Sequence, residues 1–195
     1  MEWRMIVMYR KELISSNSLE TAGPTKFTNV VKRLKEEHSS LEEKLNHLYI
    51  KAEQAQGNRD MSVTLNLLLL LRVDVKNLMK ELGAHEEWEE LQVYPIASAY
   101  FKQRIRPSIT PSIWVLEKEH EIVKQCFQPF LLLSKEIIAT VENNQAKVFK
   151  QLNLCLVYLL QGCSVLQEHI ELEEGLIYPL VDEIIAAIGH KEISI

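Results

Sequence analysis

The chain has 195 residues, of which 47% are hydrophobic, 25% charged and 7% aromatic, and this composition is typical of a globular protein with one core rather than a disordered chain. Six Gly and six Pro are too few for the tight turns of an all-β sandwich of this size. Most of the charge comes from Glu and Lys, which are good helix formers, and the net charge of -5 leaves no basic stripe for phosphates. The composition therefore predicts an all-α protein without a nucleic-acid partner.

Apolar runs and cysteines bear on the location of the protein. Apolar runs such as Leu67 to Leu71 fall far short of the roughly 20 residues that span a bilayer. The first residues place charges among apolar side chains, unlike a signal peptide. Cys126, Cys155 and Cys163 form no CxxC pair, which favours reduced thiols in the core. These features predict a cytoplasmic protein that does not associate with membranes.

The amino-terminal part divides into an extension and a first helix. Residues 1–25 end in a cluster of Ser, Asn, Thr, Gly and Pro and are predicted to form a short N-terminal extension, with the main domain over 26–190. From Lys26 to about Gln56, apolar residues recur at spacings of three, four and seven, which predicts a helix. The sequence GNRD at 57–60 should end it, and Asp60 can cap the next helix.

Three further helical patterns follow. The second runs from Met61 towards Pro95, which is expected to kink or end it. After a break at 104–112, a third helix contains Pro129, and a turn at Asn143 leads to a fourth helix that is apolar almost all round in its first half. Four long helices joined by short turns predict an up-down-up-down antiparallel four-helix bundle.

The second half of the chain repeats the first. The segments HEEWEELQVYPI, from His85, and HIELEEGLIYPL, from His169, share the pattern HxxxEE followed by YP. Upstream, LKEEH ends at His38 and LEKEH ends at His120. A lone HxxxE arises easily by chance in a chain with 24 Glu, so the duplicated flanks carry the signal. Each predicted hairpin therefore has a His on its first helix and an HxxxE on its second.

This spacing predicts that the repeated residues converge. Residues equidistant from the turn of a helical hairpin lie level with one another, and the midpoints of His38 with His85 and of His120 with His169 both fall at predicted turns. The Glu of each HxxxE lies one turn from its His on the same helix face. The six candidate metal ligands are His38, His85, Glu89, His120, His169 and Glu173.

Such a cluster favours a pair of metal ions. Four imidazoles and two carboxylates are costly to bury inside an apolar bundle unless they are satisfied. Imidazole suits iron, zinc, copper or nickel, and a carboxylate can bridge two ions. If each Glu serves both ions, every ion has about four protein bonds, which leaves open positions for a small molecule.

The ordered pattern H, HxxxE, H, HxxxE, over about residues 28–185, resembles the ligand set of the hemerythrin-like (HHE cation-binding) family. The resemblance implies a four-helix bundle that holds two iron ions in a non-haem di-iron centre, with Glu89 and Glu173 as bridges and the histidines as terminal ligands. It also implies that the protein binds or reacts with dioxygen, nitric oxide or peroxide, in oxidative or nitrosative stress or in iron homeostasis. The alternative is a repair factor for damaged iron-sulfur clusters or an enzyme that consumes a small oxidant.

Departures from the family pattern narrow its roles. Oxygen-carrying hemerythrins have an extra His on the third helix and an Asp in the fourth-helix motif, whereas this chain has Leu116 and Lys124 one turn either side of His120, and Glu173 as the acid. A dedicated oxygen carrier is therefore disfavoured. The four-His, two-Glu set is closer to the repair-of-iron-centres proteins, but those have an amino-terminal cysteine pair, and residues 1–27 contain no Cys.

Other kinds of site fit the same residues less well. A ferritin-like centre needs two ExxH motifs and only Glu117 to His120 matches, while a hydrolase lacks a nucleophile motif. A metal-free helical interaction module needs only the four-helix pattern. His47 and His190 are expected to lie outside the site. Tyr94 and Tyr178 are expected to pack in the core, and the alternative is that they close one end of the bundle or donate to a bound ligand. An exposed acidic face is predicted for Glu86, Glu87, Glu90 and Glu174, with support of a ligand imidazole as the alternative for some of them.

Overall fold

A computed structural model describes residues 24–103, 110–140 and 145–192, and these residues form an all-α four-helix bundle, as predicted. The elements are α1 (Pro24–Gly57), α2 (Met61–Trp88), a π-helical turn (Glu89–Val93), α3 (Tyr94–Gln103), α4 (Thr110–Thr140) and α5 (Gln145–Glu192). The chain runs from α2 through the π turn into α3 without a break, so these three make up the second helix of the bundle. Residues 1–23 of the predicted extension and the turn at Asn143 lie outside the described residues.

The turn between α1 and α2 has the predicted chemistry. Helix α1 ends at Gly57, and the Asp60 carboxylate accepts hydrogen bonds from the backbone N–H groups of Ser62, at 2.8 Å, and Val63, at 3.4 Å. These N–H groups belong to the first turn of α2 and have no acceptor within the helix, so the carboxylate satisfies them. The predicted N-cap at Asp60 is confirmed.

Ion pairs show that α1 and α2 are antiparallel. Lys51 Nζ lies 2.5 Å from Asp74 Oδ2, and Lys44 Nζ lies 2.6 Å from Glu81 Oε2. A step of seven residues back along α1 is matched by a step of seven residues forward along α2. The two helices therefore run in opposite directions at a constant register.

Core contacts show that α4 and α5 are also antiparallel. The Cys155 thiol donates to the Phe130 carbonyl at 3.7 Å, and Gly162 lies against the ring of Phe127. Moving back along α4 again corresponds to moving forward along α5. Pro129 lies inside α4, which continues through it to Thr140.

The second helix does not end at Pro95, where an end or kink was expected. Pro95 is the second residue of α3, and Ile96 and Ala97 after it are buried. Proline removes one backbone donor, and the apolar burial of the following turn outweighs that loss. The backbone instead adjusts just before Pro95, where the Tyr94 N–H donates to the Glu89 carbonyl, five residues earlier, to form the π turn.

The helices contribute to two compact units, each with its own apolar core. One unit comprises His38–Gly83 and Lys118–Ile170, and the other comprises the described residues of Met1–Glu37, Ala84–Glu117 and Glu171–Ile195. The core of the first unit includes Leu45, Leu71, Phe127, Phe130 and Leu159. The core of the second unit includes Leu34, Val93, Tyr94, Leu116 and Ile177. Within the described part of the chain, no helix has the length and apolar character needed to cross a membrane.

Candidate metal centre

All six candidate ligands are buried, and the most exposed of them, His85, shows only 4% of its surface. Their burial is unusual, because charged and imidazole side chains rarely enter a core without polar partners. His47, by contrast, is exposed on α1, as predicted, and the side chain of His190 lies outside the described residues. The burial pattern therefore separates the repeated histidines from His47.

The candidate ligands form two overlapping groups whose ligand atoms lie within 4.8 Å of one another. The first group is His38, His85, Glu89 and Glu173, and the second is Glu89, His120 and His169. Each group combines imidazole nitrogens with carboxylate oxygens and can hold a metal ion. Glu89 is the one residue that belongs to both groups.

His85 is held between two carboxylates. Its Nε2 lies 2.6 Å from Glu89 Oε1, one helical turn away, and its Nδ1 lies 2.7 Å from Glu37 Oε2 on α1. The HxxxE spacing thus brings His85 and Glu89 together as predicted. Because Glu37 contacts Nδ1, Nε2 is the ring nitrogen directed at the candidate metal ligands.

His169 repeats this arrangement in the second hairpin. Its Nδ1 lies 3.1 Å from Glu119 Oε2 on α4, and its Nε2 lies 3.0 Å from Nε2 of His120. The two rings meet edge to face, with centroids 4.5 Å apart. His120 and His169 therefore meet within their hairpin, as their equal distance from the turn predicts.

Glu37 and Glu119 were not predicted from the sequence, although a signal for them is present. Each directly precedes a candidate ligand, at the same position of LKEEH and LEKEH. Adjacent residues point about 100° apart on a helix, so each Glu points in a different direction from the His that follows it. Each Glu instead contacts a histidine of the neighbouring helix, His85 for Glu37 and His169 for Glu119. Carboxylates that accept from the outer nitrogen of a ligating His are a common support of metal sites, because they fix its tautomer and orientation.

The two outer carboxylates differ in their electrostatics. Partial burial acts to raise the pKa of Glu37, but hydrogen bonds from His85 and Arg33, and attraction to both, outweigh it and hold the pKa below its usual value. For Glu119, partial burial and repulsion from Glu168 raise the pKa, against an opposing attraction to His120. The first hairpin therefore holds its outer carboxylate ionised more firmly than the second.

The sequence profile that describes the hemerythrin HHE cation-binding domain matches residues 29–181. The chain belongs to the hemerythrin HHE cation-binding family. No curated protein and no solved structure matches the chain. The matched span of this HHE domain includes all six candidate ligands and both outer carboxylates, and a cation-binding domain accounts for their burial.

In this HHE domain the π turn brings Tyr94 against the buried acids. The Tyr94 hydroxyl donates to Glu89 Oε2 at 3.3 Å. Burial, followed by repulsion from Glu173 and Glu89, raises the pKa of Tyr94 far above its usual value, so the phenol keeps its proton. Tyr94 packs in the core as predicted, but it also donates to the candidate ligand Glu89.

The matching Tyr178 has a different environment. It is half-buried, its hydroxyl donates to Glu174 Oε1 at 2.7 Å, and Lys35 Nζ lies 4.7 Å above its ring. Here α5 is α-helical throughout, so Tyr178 lies about 140° around the helix from Glu173. Pro179 follows Tyr178 without a π turn, which shows that proline alone does not produce one.

The predicted exposure of the acidic face of this HHE domain is wrong for Glu86. Glu86 is 4% exposed, whereas Glu87 is exposed and Glu90 and Glu174 are half-buried. Position 86 follows the candidate ligand His85, and the equivalent Ile170, after His169, is also buried. The helix turns this position inward in both motifs, and the first motif places a carboxyl group there.

Proposed function

We propose that this HHE domain holds a non-haem di-iron centre. The observation that carries the proposal is that one buried carboxylate, Glu89, belongs to both groups of candidate ligands. A carboxylate has two oxygens and can serve two cations at once, while offsetting part of their charge in the apolar interior. The donor set of ring nitrogens and carboxylate oxygens suits iron, and the family match supports a cation site.

The six candidate ligands would divide between two ions. His38, His85 and Glu173 would hold one ion, His120 and His169 would hold the other, and Glu89 would serve both. Glu173 is proposed as a second bridge. Glu37 and Glu119 hold the imidazoles of the HxxxE motifs so that Nε2 faces the metal.

The ligand count supports binding of, or reaction with, a small molecule. A bound iron pair supplies redox chemistry and open coordination positions. With about four protein bonds per ion, the chain leaves room for dioxygen, nitric oxide or peroxide. Leu34 and Leu116, one helical turn before His38 and His120, are fully buried, and apolar side chains at these positions would keep bulk water away from such a ligand. We propose that the protein acts in the cytoplasm, in oxidative or nitrosative stress or in iron homeostasis.

Metal content tests this proposal. Protein purified without an affinity tag is treated anaerobically with ferrous iron, desalted and subjected to elemental analysis, and we expect close to two irons per chain. His85→Ala and His169→Ala should each bind less than two, because each removes a ligand. His47→Ala is the matched control, because His47 is exposed and outside both groups, and it should retain the wild-type content.

The outcomes separate the hypotheses. Helical content by circular dichroism shows whether each variant is folded. No stoichiometric metal in the wild-type protein would refute the di-iron centre and favour a metal-free helical module. Unchanged iron in both folded ligand variants would refute the site assignment alone. Turnover of peroxide, or iron transfer to a damaged iron-sulfur cluster, would distinguish an enzyme or repair factor from a binding protein.

A further inference from the structure

The two oxygens of Glu89 are held in two directions. Oε1 lies 2.6 Å from Nε2 of His85, and Oε2 lies 3.3 Å from the hydroxyl of Tyr94. Glu89 is fully buried, and Tyr94 is 2% exposed. The orientation of this carboxylate therefore depends on a close contact with a histidine and a hydrogen bond from a tyrosine.

The charge of the second buried acid also acts on Tyr94. The carboxylate of Glu173, which is fully buried as well, acts electrostatically on the same phenol. A phenol is a neutral donor with one proton and two lone pairs, so it donates to Glu89 without adding charge. Tyr94 thereby places a neutral donor beside Glu89 and limits the rotation of that carboxylate.

The π-helical backbone, rather than the repeated sequence, brings the Tyr94 hydroxyl to Glu89. Tyr94 and Tyr178 occupy the same position of the duplicated motif, five residues after Glu89 and Glu173. Five residues of α-helix turn through about 500°, which places the tyrosine about 140° away from the acid. In the π turn the backbone N–H of Tyr94 donates to the carbonyl of Glu89, five residues earlier, and this wider turn brings Tyr94 to the side of the helix that carries Glu89. Only Tyr94 therefore shares a helix face with its glutamate.

We propose that Tyr94 is a positioning residue of the metal centre, which the π turn places so that its hydroxyl fixes Glu89 in the orientation that serves two ions. This inference rests on the proposed function. The ion held by His38, His85 and Glu173 would have three ligands besides Glu89, whereas the ion held by His120 and His169 would have to share a carboxylate with an ion that is already bound. Loss of the hydroxyl frees the Oε2 side of Glu89, so binding of the second ion is weakened more than binding of the first.

Stepwise binding of Co(II) to the metal-free protein tests the inference. Isothermal titration calorimetry and the visible absorption of Co(II) resolve the two steps in wild-type protein, Tyr94→Phe and Tyr178→Phe. We expect Tyr94→Phe to weaken the second step by about 10-fold to 100-fold, the range measured when a residue that orients a metal ligand is removed. The first step should change by less than about 3-fold. Tyr178→Phe removes the equivalent hydroxyl, which bonds outside the candidate ligands, and should match the wild type.

A purely structural role for Tyr94 predicts different results. Equal weakening of both steps, or wild-type binding by folded Tyr94→Phe, would overturn the inference while leaving the proposed function intact. If wild-type protein bound no Co(II) and no ferrous iron, the proposed function would fail and the inference with it. A measurement on the unmutated chain guards against a misfolded variant. In the Zn(II)-loaded protein, the Tyr94 hydroxyl proton should exchange slowly and show a nuclear Overhauser contact to Glu89, and absence of that contact would also refute the inference.

Discussion

The packing of α5 against α4 at Gly162 predicts a loss of stability when a single methyl group is added. A Cβ at position 162 would lie 2.8 Å from two ring carbons of Phe127, which is fully buried. Carbon atoms pack best at about 3.5 to 4.0 Å, so the ring would have to move by roughly 0.7 Å or more. Overpacking of this kind costs about 1–3 kcal/mol, whereas replacing Gly by Ala inside a helix gains about 1 kcal/mol. Gly162→Ala should therefore lower the free energy of unfolding by about 1 kcal/mol.

A second glycine separates the two contributions. An added Cβ at Gly83, inside α2, meets no atom within 4 Å, so Gly83→Ala should show the helical gain alone, up to about 1 kcal/mol. Urea denaturation of the metal-free proteins, followed by circular dichroism, gives the free energy of unfolding for each variant. We expect the two variants to shift in opposite directions and to differ by about 1–3 kcal/mol. If Gly162→Ala were as stable as Gly83→Ala, the close approach of α4 and α5 would be refuted.

Two further predictions concern the outer carboxylates and the thiols. Glu37→Ala should weaken metal binding by about 10-fold or more in competition with a chelator, because His85 loses the partner at Nδ1. The control Glu36→Ala removes an exposed carboxylate and should bind metal as the wild type does. Equal metal affinities of Glu37→Ala and Glu36→Ala would contradict the role of Glu37. Burial raises the pKa of Cys155 and of Cys163 to about 12, so that at pH 8 only about one in ten thousand of either is thiolate. A thiol reagent should therefore label half-buried Cys126 first in the folded protein, counted by mass spectrometry, and rapid labelling of all three thiols would refute the burial.

Local chemistry and periodicity made much of the helical organisation predictable. Gly57 ends a helix and Asp60 caps the next because their backbone and side-chain preferences act within a few residues. The meeting of His120 with His169 follows from equal distances to a turn, which any antiparallel hairpin shares. Pro95 was expected to kink or end the second helix, and the helix does not end there because burial of the following turn, a tertiary effect, outweighs one missing donor.

The support around the candidate site was much less predictable. Tyr94 and Tyr178 have the same spacing in the sequence, and no pattern indicates which backbone forms a π turn. Glu37 and Glu119 lie beside predicted ligands, but their partners are on the neighbouring helix, and only the packed structure reveals which carboxylate faces which ring nitrogen. Glutamates are abundant in this chain, so the presence of a Glu at a position does not by itself indicate that it contacts a candidate ligand.

The π turn also makes the two repeated segments of the chain differ in helical phase. The motifs have the same length, yet the helix after Tyr94 is one residue out of phase with the helix after Tyr178, a rotation of about 100°. Deleting one residue between Glu89 and Tyr94 would restore the α-helical phase and leave the tyrosine four residues after the acid, about 40° around the helix, so its hydroxyl would stay beside Glu89. Deleting one residue between Glu173 and Tyr178 would give the second tyrosine the same spacing and turn it towards Glu173. Loss of a single codon in the second half is therefore enough to place a tyrosine beside each buried acid.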